Sequence, residues 1–163
     1  MDFLNEIDLY LRAKATLMIV ISAEEERILE ELKTLCLNTG RSCVSWDIAD
    51  GFQSVCGDLL PAGGRDPLTA LEQIEKADAR QPSLYILKDF NEFWENTTVK
   101  RKLRTLAEQL KFTKKSIVIT AASARIPVEL LDESVILDYP LPNLDQLEEV
   151  LNKLQLTPGV VLR

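Results

Sequence analysis

The sequence predicts an α/β fold, a three-layer α/β/α sandwich around a mostly parallel five-stranded sheet. Short apolar runs alternate with amphipathic segments along the 163 residues, and this alternation is typical of parallel strands that are joined by crossover helices. Residues 84–87 are four consecutive apolar residues between turn-forming residues. That run is too short for a helix, so we expect a central strand that is buried on both faces.

The first two helices have clear start and stop signals. Asp2 is placed to cap a helix whose apolar residues fall on one face, and residues 16–21 predict the first strand. Ser22 with Glu25 three residues later is a capping-box signature, so we expect the second helix to begin there. Gly40 is a natural left-handed end for that helix.

The middle of the chain combines a second strand with a long loop. Residues 43–48 predict the strand, and residues 51–65 hold four glycines and one proline without periodicity. We expect a loop there, either a mobile excursion or a ligand or partner surface. Asp66 followed by Pro67 predicts the start of the third helix, and the central strand follows that helix.

The second half of the chain repeats the alternation of helix and strand. Asn96 or Thr97 is placed to cap a fourth helix. The remaining predicted elements are a fourth strand at residues 116–120, a short helix at 126–131, a fifth strand at 135–137, a rigid exit at 139–142 and a final helix that Asn143 caps.

The composition is that of one globular domain. Hydrophobic residues make up 46% of the chain and charged residues 28%, so we expect a single domain over residues 1–163. The net charge of -7 disfavours nucleic acid and anionic membranes as partners. No early apolar run approaches the roughly 20 residues that span a bilayer, and the first residues lack the order of a signal peptide. We therefore expect a cytoplasmic protein without membrane insertion.

Residue types that carry chemistry are sparse. The chain has no histidine, which removes the commonest general base, the usual Ser and Cys triads and most zinc sites. Cys36, Cys43 and Cys56 lack metal-ligand spacing, so we expect reduced thiols, with the first two packed in the core. We expect no metal and no cofactor.

The carboxyl end of the central strand is the predicted location of any binding site. Ligands of open α/β sheets lie beyond the carboxyl ends of the strands. A charged pair follows the strand there, then an aromatic cluster, and the next helix begins with basic residues. The candidate ligand- or partner-binding residues are Lys88, Asp89, Phe93, Trp94, Arg101 and Arg104.

Each of these features has a second interpretation. Asp89 can form an ion pair with Arg101 or Arg104, and we favour this pair because it also explains cations at the unfavourable end of a helix dipole. The aromatic cluster can be a satellite core instead of a docking patch. The basic helix face can be solvated instead of binding an anion.

A series of short motifs runs through nearly the whole chain in a fixed order. They are Arg12-Ala13-Lys14, residues 24–27, Asp66-Pro67 with Ala70-Leu71, residues 87–90, residues 99–104, Ile126-Pro127 with Glu129-Leu130, and Leu141-Pro142. In order and spacing, the chain resembles the amino-terminal part of the AAA-family ATPases of cyanobacteria and plastids that are known from a conserved chloroplast open reading frame. The resemblance implies that the ATPase machinery lies in a second domain, that this chain is an excised or truncated amino-terminal domain, and that the parent protein regulates photosynthesis or inorganic carbon use.

The layout also resembles a P-loop NTPase core without its catalytic parts. A P-loop needs glycines, so that backbone amides can surround the phosphates, and a lysine that neutralises them. Residues 21–27 hold neither and carry three carboxylates that repel a polyphosphate. Lys88 occupies the first of the two positions that are acidic in a working site. The fourth strand ends in Thr120, Ala121 and Ala122, where AAA proteins place a polar sensor for the γ-phosphate.

We therefore expect a catalytically inactive assembly or partner-binding domain of an AAA-family ATPase, with protein partners and a homo-oligomer that forms through the parent protein. The alternative is a non-hydrolysing nucleotide or small-anion sensor that uses Ser22, Lys88, Asp89 and the loop at 51–65. A stand-alone enzyme is a third possibility, for which reactivity of the Cys56 thiol is the simplest sign.

Overall fold

The structure is a computed structural model that describes residues 2–57, 60–61, 63–78, 81–123 and 125–139, with positions 148, 151, 152 and 154 of the carboxyl-terminal part. Helices and strands alternate through these residues. They are α1 Phe3–Arg12, β1 Leu17–Ile21, α2 Glu25–Thr39, β2 Ser42–Asp47, β3 Gly51–Ser54, α3 Pro67–Lys76, β4 Ser83–Lys88, α4 Thr97–Gln109, β5 Lys115–Ala121, α5 Val128–Leu131 and β6 Val135–Asp138, with 3-10 turns at Phe90–Phe93 and Leu110–Phe112.

The strands form one sheet in the order β3-β2-β4-β5-β1-β6. All neighbouring pairs are parallel except β2 and β3. The five predicted strands are confirmed, and so is the mostly parallel α/β architecture. The structure adds a sixth strand at the edge of the sheet.

That sixth strand corrects the predicted loop at residues 51–65. The first four residues of that predicted loop, Gly51–Ser54, form β3. This strand pairs antiparallel with β2, with Trp46 opposite Phe52 and Asp47 opposite Gly51. The Asp47 carboxylate accepts hydrogen bonds from the amides of residues 49 and 50, at 2.9 and 2.8 Å. Gly51 then takes a φ of 71°, a left-handed conformation that suits glycine and closes a tight hairpin.

Alternate residues of the strands enter two separate cores, as expected for a sheet covered on both faces. Leu17 and Ile19 belong to the core beneath α3, α4 and α5, which also contains Trp46. Met18 and Val20 belong to the core beneath α1 and α2. The three-layer arrangement is therefore confirmed.

Four of the predicted helix boundaries are confirmed. Asp2 accepts the amide of Asn5 at 2.8 Å, Asp66 accepts that of Thr69 at 2.9 Å, and Asn96 rather than Thr97 accepts that of Val99 at 3.1 Å. Gly40 ends α2 with a φ of 69°. Residues 140–142 of the predicted exit at 139–142 and most of the final helix from Asn143 lie outside the described residues.

A buried lysine stabilises the end of α3. Lys115 begins β5 and is 3% exposed. Its Nζ donates to the carbonyl oxygens of Ile74 at 2.8 Å, Glu75 at 3.0 Å and Ala77 at 2.9 Å. Burial lowers the pKa of Lys115, although Glu75 and Asp78 oppose this effect. The cation thus satisfies carbonyls at the negative end of the helix dipole.

Among the described helices, none is long and apolar enough to cross a bilayer.

Lys115→Met should lower the free energy of unfolding by about 2–3 kcal/mol, because the α3 carbonyls lose a charged donor while the aliphatic packing is kept. The matched control is Lys114→Met, an exposed neighbour, which should change the free energy by less than about 0.5 kcal/mol. Urea denaturation measures both. Equal effects of the two substitutions would contradict the assigned role of Lys115.

Candidate functional site

A doubly wound sheet normally binds its ligand where the direction of the connections reverses, and here that place lies between the carboxyl ends of β1 and β5. The helix after β1 packs on one face of the sheet and the helix after β5 on the other. The strands nevertheless stay paired beyond their ends. The amide of Ser22 donates to the carbonyl of Ala121 at 2.9 Å, and the amide of Tyr139 donates to that of Ile21 at 3.3 Å. The backbone at this junction therefore continues the sheet.

The start of α2 corrects the predicted capping box. The helix begins at Glu25, and its cap residue Glu24 makes no side-chain hydrogen bond to the helix. The Ser22 hydroxyl instead accepts the amide of Glu24 at 2.9 Å. In a capping box, the carboxylate of the residue three positions after the cap accepts a hydrogen bond from the amide of the cap residue. Glu25 cannot accept that bond here, because the Ser22 amide donates to the carbonyl of Ala121.

The carboxylate of Glu25 turns toward β5. Its Oε1 accepts a hydrogen bond of 3.4 Å from the hydroxyl of Thr120. A negative side chain therefore lies over the strand ends where a P-loop would hold phosphate. Coulomb repulsion between this carboxylate and a polyphosphate is strengthened by the partial burial of the site.

Aromatic and charged side chains cover the other flank of the junction. The Arg27 guanidinium lies 5.5 Å from the centroid of the Tyr139 ring, and Phe3 meets that ring edge-on at 4.9 Å. Burial raises the pKa of Tyr139 to about 12, together with a hydrogen bond that the phenol donates to the Glu31 carboxylate. The phenol therefore remains neutral across the physiological pH range.

The candidate residues Lys88 and Asp89 point to different neighbours. Lys88 Nζ lies 3.9 Å from the Asp47 carboxylate at the end of β2. Asp89 adopts the left-handed conformation, with φ 55° and ψ 28°, and its amide donates to the carbonyl of Thr120 at 2.9 Å. This residue therefore turns the chain out of the sheet and into the 3-10 turn.

The prediction that Asp89 forms an ion pair with Arg101 or Arg104 is wrong. Within the described part of the chain, no ion pair joins Asp89 to Arg101 or Arg104. The basic start of α4 faces acids on two other helices. Lys102 meets Glu75 of α3 at 2.8 Å, and Lys100 meets Glu129 of α5 at 3.5 Å.

The aromatic cluster belongs largely to the core. Phe90 is fully buried and contacts Trp46 and Phe93 at centroid distances of 5.6 and 5.3 Å. Phe93 lies 6.1 Å from Trp46. Trp94 packs at the margin of this core and reaches a cavity.

That cavity, which we call the carboxyl-edge cavity, opens beside the ends of β4 and β5 and has a volume of about 560 Å³. Two of its lining residues each carry a polar side-chain atom that is buried without a hydrogen-bond partner, Trp94 Nε1 and Asn91 Oδ1. Its lining residues are Asn91, Glu92, Trp94, Glu95, Ser123, Arg125, Ile126 and Pro127.

The six candidate residues therefore do not form one site. Trp94 lines the carboxyl-edge cavity, whereas Arg101 lines a separate groove of about 660 Å³ between α3 and α4. Lys88 lies against β2, and Phe93 packs on the core. Arg104 lies on α4 near Glu129 and contributes to the lowered pKa of that carboxyl, after its own backbone amide and Lys100.

A basic pocket at the opposite edge of the sheet was missed from the sequence. It has a volume of about 200 Å³ and lies at the amino ends of the strands. We call it the amino-edge pocket; among the residues that the structure describes, its lining contains five cations and no acid. The cations are Arg12, Lys14, Arg41, Lys114 and Lys115. In the sequence, the basic residues at 12–14 and 114–115 could have indicated this pocket. They precede or begin β1 and β5, and parallel pairing brings the starts of these two strands together.

Two of these cations have partners. Lys115 is held by the α3 carbonyls, and Arg12 pairs with Asp8 at 3.2 Å. No acidic partner of the other three is found among the residues that the structure describes.

The described residues contain no group of three or more His, Cys, Asp or Glu side chains that is placed to hold a metal ion.

Sequence comparisons place the chain among AAA proteins. The model of the SpoVK-like AAA ATPase N-terminal domain matches residues 3–139. The AAA domain-containing protein ycf46 of Guillardia theta is 36% identical over 165 residues, a match that covers 99% of this chain and 32% of that protein. The ycf46 protein of Trieres chinensis is 34% identical over 155 residues, or 94% of this chain and 31% of that protein. The chain thus spans about a third of the length of these curated relatives.

Structural comparisons give the same architecture. The structure of C. elegans PCH-2 has a TM-score of 0.59 at 14% identity and is matched over 98% of this chain and 49% of PCH-2. A chain in the structure of Drosophila ORC bound to poly(dA/dT) DNA and Cdc6 has a TM-score of 0.52 at 14% identity, over 95% of this chain and 31% of that one. Identities this low show the fold alone, which is that of AAA+ P-loop ATPases.

Proposed function

The chain belongs to the family of SpoVK-like AAA ATPase N-terminal domains, and from this premise we propose that it is a catalytically inactive assembly and partner-binding domain of an AAA-family ATPase. ATP hydrolysis belongs, in this proposal, to another part of the parent protein. We further propose, by resemblance, a place in the cytosol or plastid stroma and a role in regulating photosynthesis or inorganic carbon use.

The observation that carries the proposal is the β1–β5 junction. Its backbone is engaged in the sheet through Ser22 and Ala121, and the Glu25 carboxylate lies beside Thr120. A triphosphate needs free backbone amides and positive charge at this position. Lys88 adds a second obstacle, because a cation at the end of β4 repels a divalent metal.

The carboxyl-edge cavity supports the partner-binding part of the proposal. Its apolar residues Trp94, Ile126 and Pro127 are half-buried, whereas its charged residues Glu92, Glu95 and Arg125 are exposed. An apolar centre with a charged rim is the usual anatomy of a protein interface, and tryptophan is enriched among the residues that dominate binding.

The test places the domain in its parent AAA protein. Glu92→Arg with Glu95→Arg should weaken assembly or partner binding by at least about tenfold, because reversed rim charges oppose the partner. The matched control, Glu26→Arg with Glu30→Arg on the exposed face of α2, should leave assembly unchanged. Sedimentation velocity measures assembly, and ATP turnover is followed in parallel.

In the same protein, Lys88→Ala with Asp89→Ala should leave ATP turnover within about twofold of the unmodified protein, because neither residue takes part in hydrolysis. Loss of turnover in this variant would refute catalytic inactivity. Unchanged assembly in the rim variant would refute the assigned surface.

The second candidate function is small-anion sensing, and the amino-edge pocket favours it. Four of its five cations have exposed or half-buried side chains, although acids outnumber bases in the whole chain by 26 to 19. The volume of about 200 Å³ suits a compact oxyanion. The anion sensor considered from the sequence would instead use the carboxyl edge.

Inorganic phosphate, at constant ionic strength, should raise the melting temperature in a concentration-dependent manner if this pocket binds an oxyanion. At a hundred times the dissociation constant, the stabilisation is about 2.7 kcal/mol. Arg41→Gln with Lys114→Gln should abolish the shift, whereas the control Lys33→Gln with Lys76→Gln, which removes the same charge elsewhere, should retain it. An equal loss in both variants would indicate a general charge effect and contradict a site.

A further inference from the structure

The three cysteines of the chain converge at one corner of the fold. Cys36 lies in the last turns of α2, Cys43 lies in β2, and Cys56 follows β3. The first two are fully buried in the core beneath α1 and α2, and Cys56 packs against that core while remaining partly accessible. Hydrogen bonding to Cys36, together with burial and the proximity of Cys56, raises the pKa of the Cys43 thiol.

A β-bulge brings Cys56 to this corner. The regular pairing of β2 with β3 ends at Val44 opposite Ser54. Beyond it, the carbonyl of Cys43 accepts two amides, that of Val55 at 3.0 Å and that of Cys56 at 3.3 Å. Two residues of one strand thus oppose one residue of its neighbour, which defines a bulge.

The bulge determines which way the Cys56 side chain points. In an uninterrupted ladder, Val55 would oppose Cys43, and the next residue would face the other side of the sheet. The extra residue turns Cys56 back toward α2, where its Sγ lies 3.9 Å from the carbonyl oxygen of Lys33. A partly exposed thiol is therefore placed next to a buried one.

We propose that Cys56 and Cys43 are a site of reversible oxidation, at which Cys56 reacts with a peroxide and Cys43 then closes a disulfide. Cys56 is the thiol that solvent reaches, since Cys36 and Cys43 are each 0% exposed. Cys43 is the resolving thiol because the bulge makes it the backbone neighbour of Cys56.

The chemistry balances with hydrogen peroxide as the oxidant. The Cys56 sulfur attacks one peroxide oxygen, the O–O bond breaks, and a sulfenic acid and one water form. The Cys43 sulfur then attacks the sulfenic sulfur, the S–O bond breaks, and the departing hydroxide leaves as a second water with the Cys43 proton. Two thiols and one peroxide give one disulfide and two waters, and a dithiol reductant reverses the reaction.

The bond would fasten the end of β3 to β2. The segment that follows Cys56 returns to the sheet at Gly64, whose carbonyl accepts the indole N–H of Trp46 at 3.0 Å. Oxidation would therefore anchor the first residues of that segment, next to a contact that already holds its end.

Mass spectrometry of the peroxide-treated chain tests the proposal directly. The intact mass should fall by about 2 Da, the mass of two hydrogen atoms, and return on reduction with dithiothreitol. Trypsin releases Cys43 and Cys56 together in residues 42–65, and Cys36 separately in residues 34–41, because no Lys or Arg lies between residues 42 and 64. The 42–65 peptide should carry the mass loss, whereas Cys36 should remain available for alkylation after unfolding.

Variants assign the two roles. Cys43→Ala should abolish the mass loss and leave a sulfenic acid on Cys56 that dimedone traps. The matched control Cys36→Ala should keep the mass loss. Peptide mapping of the chain without substitutions tests the proposal even if a variant does not fold. A disulfide between the two tryptic peptides, or stepwise addition of oxygen to Cys56 with Cys43 still alkylatable, would overturn the proposal.

Discussion

The hydrogen bond from the Ser22 amide to the Ala121 carbonyl is the constraint on which the account of this domain rests. It extends the pairing of β1 and β5 through the point at which a phosphate-binding fold opens into a loop. Because that amide is used, the predicted capping box cannot form, and Glu25 turns instead toward Thr120. One backbone contact thus determines the start of α2 and places a carboxylate over the strand ends.

The two edges of the sheet differ in charge for a physical reason. The helices run opposite to the parallel strands, so their negative carboxyl ends gather at the amino edge and their positive amino ends at the carboxyl edge. At the amino edge, Lys115 donates hydrogen bonds to the carbonyls at the end of α3. At the carboxyl edge, Glu24 and Glu25 lie at the beginning of α2. The pocket with five cations therefore lies at the edge opposite to the one used by nucleotide-binding members of this fold class.

Local sequence signals predicted the frame of the domain but not the contacts that specify its surface. Short apolar runs located the five parallel strands, and Asp2, Asp66 and Gly40 marked helix ends because their effects are confined to a few neighbouring residues. The β3 hairpin escaped prediction because the turn depends on the Asp47 carboxylate and on pairing with β2.

The candidate site was less predictable than the fold. The ion pair of Asp89 was inferred from proximity in sequence, whereas tertiary packing gave the basic start of α4 other partners, Glu75 and Glu129. Cys56 lies beside Cys43 because of a β-bulge, and the spacing of the cysteines in the sequence does not predict this bulge. The amino-edge pocket depends on strand order, which brings distant basic pairs to one edge. These features require long-range contacts, and local patterns do not encode them.

The most direct test of the closed junction is a crystal structure of this domain grown with magnesium and a non-hydrolysable ATP analogue. Residues 21–27 should keep their conformation, with the Ser22 amide bound to the Ala121 carbonyl and no nucleotide density above β1. Density for a magnesium-bound triphosphate lying across residues 22–27 would contradict the closed junction.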